Sequence, residues 1–540
     1  MVSLPYLLVN GTLADADQVM ADFNALNQGI EGLAENITRA GIPAVTVKAA
    51  SFFTTGYATI GDRGSGGQYV PGAATPAYRK PIQDFSGAYW YLANGPFIYT
   101  NAGHYGLVGD GATDNHAAIQ AAIDHTAAQG GGGTIVFPIG AFVIKTGLTV
   151  STGMRFVGAG NGIGPGGTVV GGTQIISDIT FKTGDMITCT TNQAVEFHSI
   201  GFNGLGGPFA RTAGAAIKIS GVLSSGTINV SSIVRDCAFS NQFQCIRLAE
   251  CAVSVIECNT FIEWGHSAVY AADDYSIEAN GGRISNNYFF GQVDAATTAL
   301  TCILLECGYT TITNNLILGC QFGIAYIPSL SSTDAAAILI ANNFIEEQAI
   351  KGIVFIENVS VTAELTGVVI TGNEFSNFTN VSAFQSHISV LAGAAVWIAN
   401  IVISHNTFRS GLTHAGGAYI SIQSGDNVVI SENVINMNNQ DGAGGIVIGS
   451  QPTGHIFVCN NLFALKGAVA LYDCGSNVRI VDLNLQLAVA DLGSWANGSQ
   501  CYVSDGQATS GVDQILIGSG SGCTANRARG QWLAPYGLTG

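Results

Sequence analysis

Eleven near-copies of one short phrase, apolar-x-x-(usually Asn)-x-apolar, run down this 540-residue chain. The clear copies are Ile256–Phe261, Ile284–Phe289, Ile312–Ile317, Ile340–Ile345, Ile370–Phe375, Ile403–Phe408, Ile430–Ile435 and Val458–Phe463. Weaker ones sit at Phe197–Phe202, Val234–Phe239 and Ile480–Leu485. The fourth position falls at Asn259, Asn287, Asn315, Asn343, Asn373, Asn406, Asn433 and Asn461, in steps of 28, 28, 28, 30, 33, 27 and 28. A period of that size marks a solenoid. The units are short alternating runs of Ile, Val, Phe and Thr punctuated by Gly and Asn, so they are strands and not helices. The expected fold is all-β: a single-stranded, right-handed parallel β-helix with short N-terminal helices and a C-terminal cap.

Coils of a parallel stack lie about 4.8 Å apart, so equivalent positions stand above one another and eleven coils make a rod of order 50 Å. The two apolar positions should point inward as aliphatic and aromatic columns. The asparagine falls where the strand turns, and its amide can bond from coil to coil as a ladder. These asparagines therefore read as structural. Longer steps mark loops, notably Pro328–Ala335 and Glu357–Gly367.

The surface chemistry is unusual. Only 10% of residues are charged, against roughly 25% in ordinary domains, and Ser, Thr, Asn and Gly take their place, as suits an extracellular fibre. The net charge is −17 with no Lys/Arg run, which argues against nucleic acid. No apolar stretch reaches about 18 residues, so no membrane span is expected. Met1–Asn10 has neither a basic leader nor a small-residue cleavage site, which argues against a Sec signal. The 12 cysteines form no CxxC pair, and seven fall between Cys237 and Cys320. Buried free thiols are the plain reading, and with it assembly in a reducing cytoplasm.

Ahead of the repeats, residues 1–40 read as an extended piece and an amphipathic helix, capped by Asp15 or Asp17, with Val19, Met20, Phe23, Leu26, Ile30 and Leu33 on one face. It has little to pack on in its own chain and reads as an oligomerisation or docking element. Residues 41–103, rich in Gly, Pro and Tyr, read as a small β-rich head or connector. In 104–145, Thr113 or Asp114 caps a helix at about 114–129 on which Ile119, Ala122 and Ile123 share a face. Gly130–Gly133 end it, and strands Thr134–Phe137 and Ala141–Lys145 follow. Such a helix plugs the open apolar end of the solenoid spanning 104–486. Residues 487–540, with Trp495, Tyr502, Trp532, Tyr536, Arg527 and Arg529, leave the repeat and read as a cap and trimerisation region.

The segment carrying Gly109-Asp110-Gly111, Thr113-Asp114, Ala118-Ile119-Gln120, Ala122-Ile123, Gly131–Gly133 and Phe137-Pro138 with Gly140 closely resembles the start of pectate-lyase-like β-helix proteins, including bacteriophage tailspikes. The opening LPYLLVNGTLADADQVMADFNAL is similar to N-terminal segments that dock tail proteins onto a virion. The resemblance implies a homotrimeric tailspike of a virion tail, made in the host cytoplasm. Such a protein docks onto tail or baseplate proteins and binds and cleaves a bacterial surface polysaccharide (capsule or O-antigen), with no cofactor or metal. Asp110 and Asp114 belong to a structural motif.

Glycoside hydrolysis needs two carboxyl groups, about 5–5.5 Å apart for retention or about 6.5–9.5 Å for inversion, distances met by adjacent coils or coils two apart. Acidic residues are scarce in the rod. Glu250, Glu278 and Glu306 each lie nine residues before a repeat Asn, so a strict count stacks them in one column. In a competing register, strand Ala268–Ala271 matches Ile246–Ala249, Ala272 or Asp273 falls beside Glu250, and Asp274–Gly282 becomes a loop. Either way Glu250, Asp273, Asp274, Glu278 and Glu306 are the catalytic candidates. Trp264, His266, Tyr270, Arg283 and Tyr288 are the candidates for holding sugar. The bland alternative for each carboxylate is a strand-end acceptor of turn N–H groups. Glu346-Glu347 form a second candidate pair of which only one can face outward, and Glu263 is similar. The polygalacturonase order NTD, DD, GHG, RIK is absent, as is the calcium-Asp and Arg/Lys pattern of pectate lyases, which argues against pectin. Two rivals remain: a receptor-binding or structural tail protein without catalysis, and a polysaccharide lyase using a Tyr, His or Lys base.

Overall fold

Each copy of the phrase builds one corner of a coil. In the computed structural model, a strand such as Val255–Glu257 runs into the left-handed residue Cys258, then Asn259, and the chain leaves as a second strand. The structure describes residues 99–465, apart from 129–131, 163–170, 207–209, 223–226, 273–281, 292–300, 328–333, 347, 349, 357–363, 377–385, 392–396, 410–417, 424, 438–443 and 449–455; beyond that range it describes only short strands. The fold is a parallel β-helix.

Three faces repeat up the stack. The first holds Val255–Glu257, Arg283–Ser285 and Thr311–Thr313, paired in parallel so that Ile256, Ile284 and Ile312 stand in register. The second holds Tyr288–Phe290, Leu316–Leu318 and Phe344–Glu346. The third holds Thr301–Leu305, Phe322–Tyr326 and Lys351–Phe355. In Ala238–Ala249 and Thr260–Ala272 the second and third faces are one continuous strand. On the first face, parallel strands run among the described residues from Tyr99–Asn101 to Gln500–Tyr502. The stack therefore starts earlier than the repeat phrase, whose weak copies at Phe197 and Val234 lie in register with each other.

The inward positions are apolar, as the pattern requires. Phe156 stacks on Phe197 with ring centroids 4.7 Å apart, Phe202 on Phe239 at 5.1 Å, Phe239 on Phe261 at 5.0 Å and Phe261 on Phe289 at 4.6 Å. Ile246, Val269, Ile303, Ile324 and Ile353 form an aliphatic column on the third face. The asparagines form the expected ladder: each buried Nδ2 donates to the next Oδ1, at 3.1 Å from Asn259 to Asn287, 3.0 Å from Asn287 to Asn315 and 2.9 Å from Asn315 to Asn343. The ladder continues to Asn461.

At the N-terminal end the helix is His116–Ala128, with Ile119, Ala122 and Ile123 buried in the main core. Asn115, rather than Thr113 or Asp114, holds the capping position, because its carbonyl accepts the first helical N–H from Ile119 at 3.0 Å. Asp114 Oδ1 accepts the His116 N–H at 3.1 Å just outside it. Asp110 accepts from the N–H groups of Ala112 and Thr113 and from the Thr113 hydroxyl, and those bonds bring its pKa down to about 2. This is a turn, consistent with a structural motif.

The ends of the two expected loops are strand, since Asp334–Ala341 and Glu364–Thr371 pair with each other over eight residues, and the rest of both, 328–333 and 357–363, lies outside the described residues. Cys189, Cys237, Cys245, Cys251, Cys302 and Cys320 are buried free thiols. Burial pushes the Cys237 and Cys251 thiols up to about 12. No described helix is long and apolar enough to cross a membrane. The expected helix of residues 1–40 and nearly all of 487–540 lie outside the described residues.

Candidate active site

The outward side of the third face collects the polar chemistry. One outward row runs Lys218, Arg247, Tyr270, Leu304, Ala325, Val354 and Ser389, each in register with the next. A second row runs Gln244, Ser267, Thr301, Phe322, Lys351 and Ser386. Leu304, Ala325 and Val354 form an apolar cluster separate from the main core, with Tyr270, Phe322, Ile327, Ile356 and Leu391 against it.

At one end of this cluster, Tyr270 Oη donates a 2.6 Å hydrogen bond to Glu306 Oε1, one coil further on. The Arg247 guanidinium lies over the Tyr270 ring, 5.3 Å from its centroid, a cation–π contact that fixes the phenol. His266 sits beside them, 6.3 Å from Tyr270 and 5.3 Å from Phe243 between ring centroids. Its Nδ1 is 3.1 Å from Ser267 Oγ and 3.4 Å from Gln244 Nε2. Burial first, and then the Arg247 charge, hold the His266 pKa below its ordinary value. The result is a phenol, a carboxylate, an imidazole and a guanidinium on three adjacent coils. Such a set can position a sugar hydroxyl and move a proton.

Three of the ten candidates meet here: Glu306, Tyr270 and His266. Glu250 does not. It is 1% exposed, in a left-handed turn whose carbonyl accepts from the Asn229 N–H at 3.0 Å. The strict column of Glu250, Glu278 and Glu306 is not formed, because Ala271 pairs with both Leu248 and Leu305. Glu306 is therefore level with Ala272 and Ala249, one residue short of Glu250. The competing register is not the observed one either: Val269–Ala272, one residue later than expected, pair with Ile246–Ala249, which puts Ala272 beside Ala249. Trp264 is a core residue rather than a sugar platform: it is 1% exposed, meets Phe289 edge-on at 6.4 Å and donates Nε1–H to the Thr301 carbonyl at 2.9 Å. Arg283 stands on the first face and pairs with Glu257 at 2.7 Å, a carboxylate that Arg235 also grips. Tyr288 lies outward on the second face, 37% exposed. Asp273, Asp274 and Glu278 lie outside the described residues, as does Glu347. Glu346 is half-buried on the second face, 3.3 Å from Ser376 Oγ, and Glu263 sits at a left-handed bend.

The sequence reading missed Arg247, Gln244 and Lys218. Lys218, Arg247 and Tyr270 share a row only once the third-face register is known. That register does not follow the period of 28.

Residues 99–327 match the family described as rhamnogalacturonase A/epimerase, pectate lyase-like. Over 69 residues the chain is 44% identical to mannuronan C5-epimerase AlgE3 of Azotobacter vinelandii, covering 12% of this chain and 4% of that protein. Over 140 residues it is 29% identical to a glucan 1,3-beta-glucosidase of Cochliobolus carbonum, covering 23% of this chain and 18% of that one. The chain thus matches only a small part of these relatives' lengths. Among solved structures, the A-module of mannuronan C-5 epimerase AlgE6 of Azotobacter vinelandii superposes with a TM-score of 0.51 at 15% identity, covering 72% of this chain and all of that module. A tailspike protein of E. coli bacteriophage HK620, in complex with a pentasaccharide, superposes with a TM-score of 0.52 at 12% identity, covering 78% of this chain and 84% of that one. At such identities the likeness is one of fold, and it agrees with the strand register.

Proposed function

We propose that this protein is a homotrimeric tailspike that binds and depolymerises a bacterial surface polysaccharide by glycoside hydrolysis on the outward side of the third face. The observation that carries the reading is the Tyr270–Glu306 pair, with Arg247 over the phenol and His266 beside it. Glu306 supplies one catalytic carboxyl group, and Tyr270 and Arg247 hold it and the sugar in place. The second carboxyl group comes from Asp273 or Asp274, which follow Ala272 in the chain. In the virion the N-terminal segment docks onto the tail. The pentasaccharide held by the tailspike of similar fold supports a sugar ligand, and the partial match to a glucosidase supports hydrolysis.

A second reading is favoured by one observation: among the described outward groups, a single carboxylate stands with a phenol, an imidazole and a guanidinium. That set suits proton abstraction beside a uronate carboxyl, with Tyr270 as the base, as in a lyase; the partial match to mannuronan C5-epimerases points the same way. Incubation of the protein with surface polysaccharide from a susceptible host separates the readings. New reducing ends without the ultraviolet signal of unsaturated uronates, abolished in Glu306→Gln with binding intact, are expected for the hydrolase. Both signals together, abolished in Tyr270→Phe, establish the lyase. Binding without either product overturns both and leaves an adhesin.

A further inference from the structure

One cation on the same face has no role in that reaction. Lys351 opens the third-face strand Lys351–Phe355, in register with Phe322 on one side and Ser386 on the other. Its ammonium donates to Ser386 Oγ at 3.0 Å and to Ser389 Oγ at 3.1 Å, and both serines are buried. An ammonium carries three N–H donors, so one remains. The serines are 2% and 0% exposed, so they hold the ammonium and it is the lysine that meets a ligand. Among the described residues no carboxylate lies within ion-pair distance of Lys351. Burial, with no neighbouring charge against it, lowers its pKa. A half-buried ammonium without an anion is costly. It stands in a chain of 36 acidic and 19 basic residues.

The rest of the face points the same way. Its two described outward rows carry Lys218, Arg247 and Lys351 as cations and no carboxylate, and Glu306, just past the strand Thr301–Leu305, is bonded to Tyr270. On a protein of net charge −17, this is a locally basic strip with a defined polar seat at one end. Between Glu306 and Lys351 lie two coil steps, about 9.5 Å along the stack, and five residues, about 16 Å, along the strand direction, with Leu304, Ala325 and Val354 between them.

We infer that the polysaccharide is acidic and that the ammonium of Lys351, held in place by the buried hydroxyls of Ser386 and Ser389, seats one of its carboxylates two coils from Glu306. The inference rests on the third face being the carbohydrate site. It makes Lys351 a specificity residue rather than a catalytic one. The carboxylate could belong to a uronic acid or to an acidic substituent, and the chemistry of the seat is the same.

The test uses the full chain and the host polysaccharide in three forms: native, carboxyl-reduced, and treated with mild acid to remove acid-labile substituents. Binding is measured by calorimetry for wild type, Lys351→Met and Ser389→Ala, with thermal melts to confirm folding. Wild type should bind the native polymer at least about tenfold more tightly than the reduced one. Lys351→Met should lose about that factor on the native polymer and nothing on the reduced one, and Ser389→Ala should lose a smaller part. Affinity surviving mild acid assigns the carboxylate to a uronic acid, and affinity lost with it assigns a substituent. Equal binding of native and reduced polymer, or a Lys351→Met variant that binds like wild type, overturns the inference while leaving the depolymerase reading standing. Failure to bind any of the three forms overturns both.

Discussion

At the residue scale the repeat phrase divides its labour between two neighbouring positions. The fourth is the ladder. Asn315 Oδ1 accepts from the Asn287 N–H and Nδ2, both at 3.0 Å, while its own Nδ2 donates to the Ile284 carbonyl and Asn343 Oδ1, both at 2.9 Å. Asn315→Ala removes all four bonds and leaves their partners buried, so it should cost about 3 kcal/mol. Urea denaturation should show a clear fall in midpoint, and an unchanged midpoint would mean the ladder is dispensable. The third position is left-handed in every clear copy: Cys258, Asn286, Asn314, Asn342, Gly372, His405, Glu432 and Asn460 all have φ between 55° and 66°. Asn and Gly tolerate that region best, which explains why so many copies read Asn-Asn or Gly-Asn. The sequence reading saw one asparagine role where there are two, because periodicity reports which positions recur and not the backbone angle each must adopt.

At the element scale, the corner of the coil was legible and the third face was not. From Ile256 to Ile284 to Ile312 the first face keeps the period of the phrase, since two adjoining strands and a fixed turn leave no slack there. The third face is separated from that corner by connections of varying length. Ile246 pairs with Val269, 23 residues on, and Val269 with Ile303, 34 residues on. A count from the asparagine therefore placed Glu250 and Glu306 in one column when they are offset, and gave no means of seeing that Lys218, Arg247 and Tyr270 are. Trp264 was misjudged for a related reason: in a continuous strand that turns between two faces, alternation alone does not say which side chains stay inside. The placement of His266 carries its own prediction. Its folded pKa lies below the ordinary 6.5, so the unfolded chain binds the proton more readily. The stability that neutral His266 permits is fully present above about pH 6.5 and declines as pH falls toward the lower folded value. Thermal melts of wild type should therefore drop between pH 7 and pH 5 by more than those of His266→Gln. Parallel curves would show that burial beside Arg247 does not perturb the imidazole.

At the scale of the whole molecule, a stack of parallel coils buries its core along the axis, each coil resting on its neighbours. Fifteen parallel first-face strands among the described residues correspond to about 70 Å of rod, with the His116–Ala128 helix packed on the core at the N-terminal end. The outward sides of the faces are free to differ, and they do. The third carries the basic and aromatic site. The second carries Tyr288 and Phe290, 37% and 42% exposed, in register with half-buried Leu316 and Leu318 on the next coil and with Phe344 beyond. Contiguous apolar side chains left in water are a hallmark of an association surface, and the tailspike reading supplies the occupant: further copies of the same chain. The full-length protein should therefore scatter light with a mass three times the 55.7 kDa chain. Phe290→Glu, which places a charge on an outward position without touching the inward columns, should weaken that assembly while leaving the β-sheet circular dichroism unchanged. A wild-type protein that stays monomeric at micromolar concentration would remove the trimer from the proposal. The third-face site, with Tyr270, Glu306 and Lys351 all on one chain, would then have to work within a single subunit.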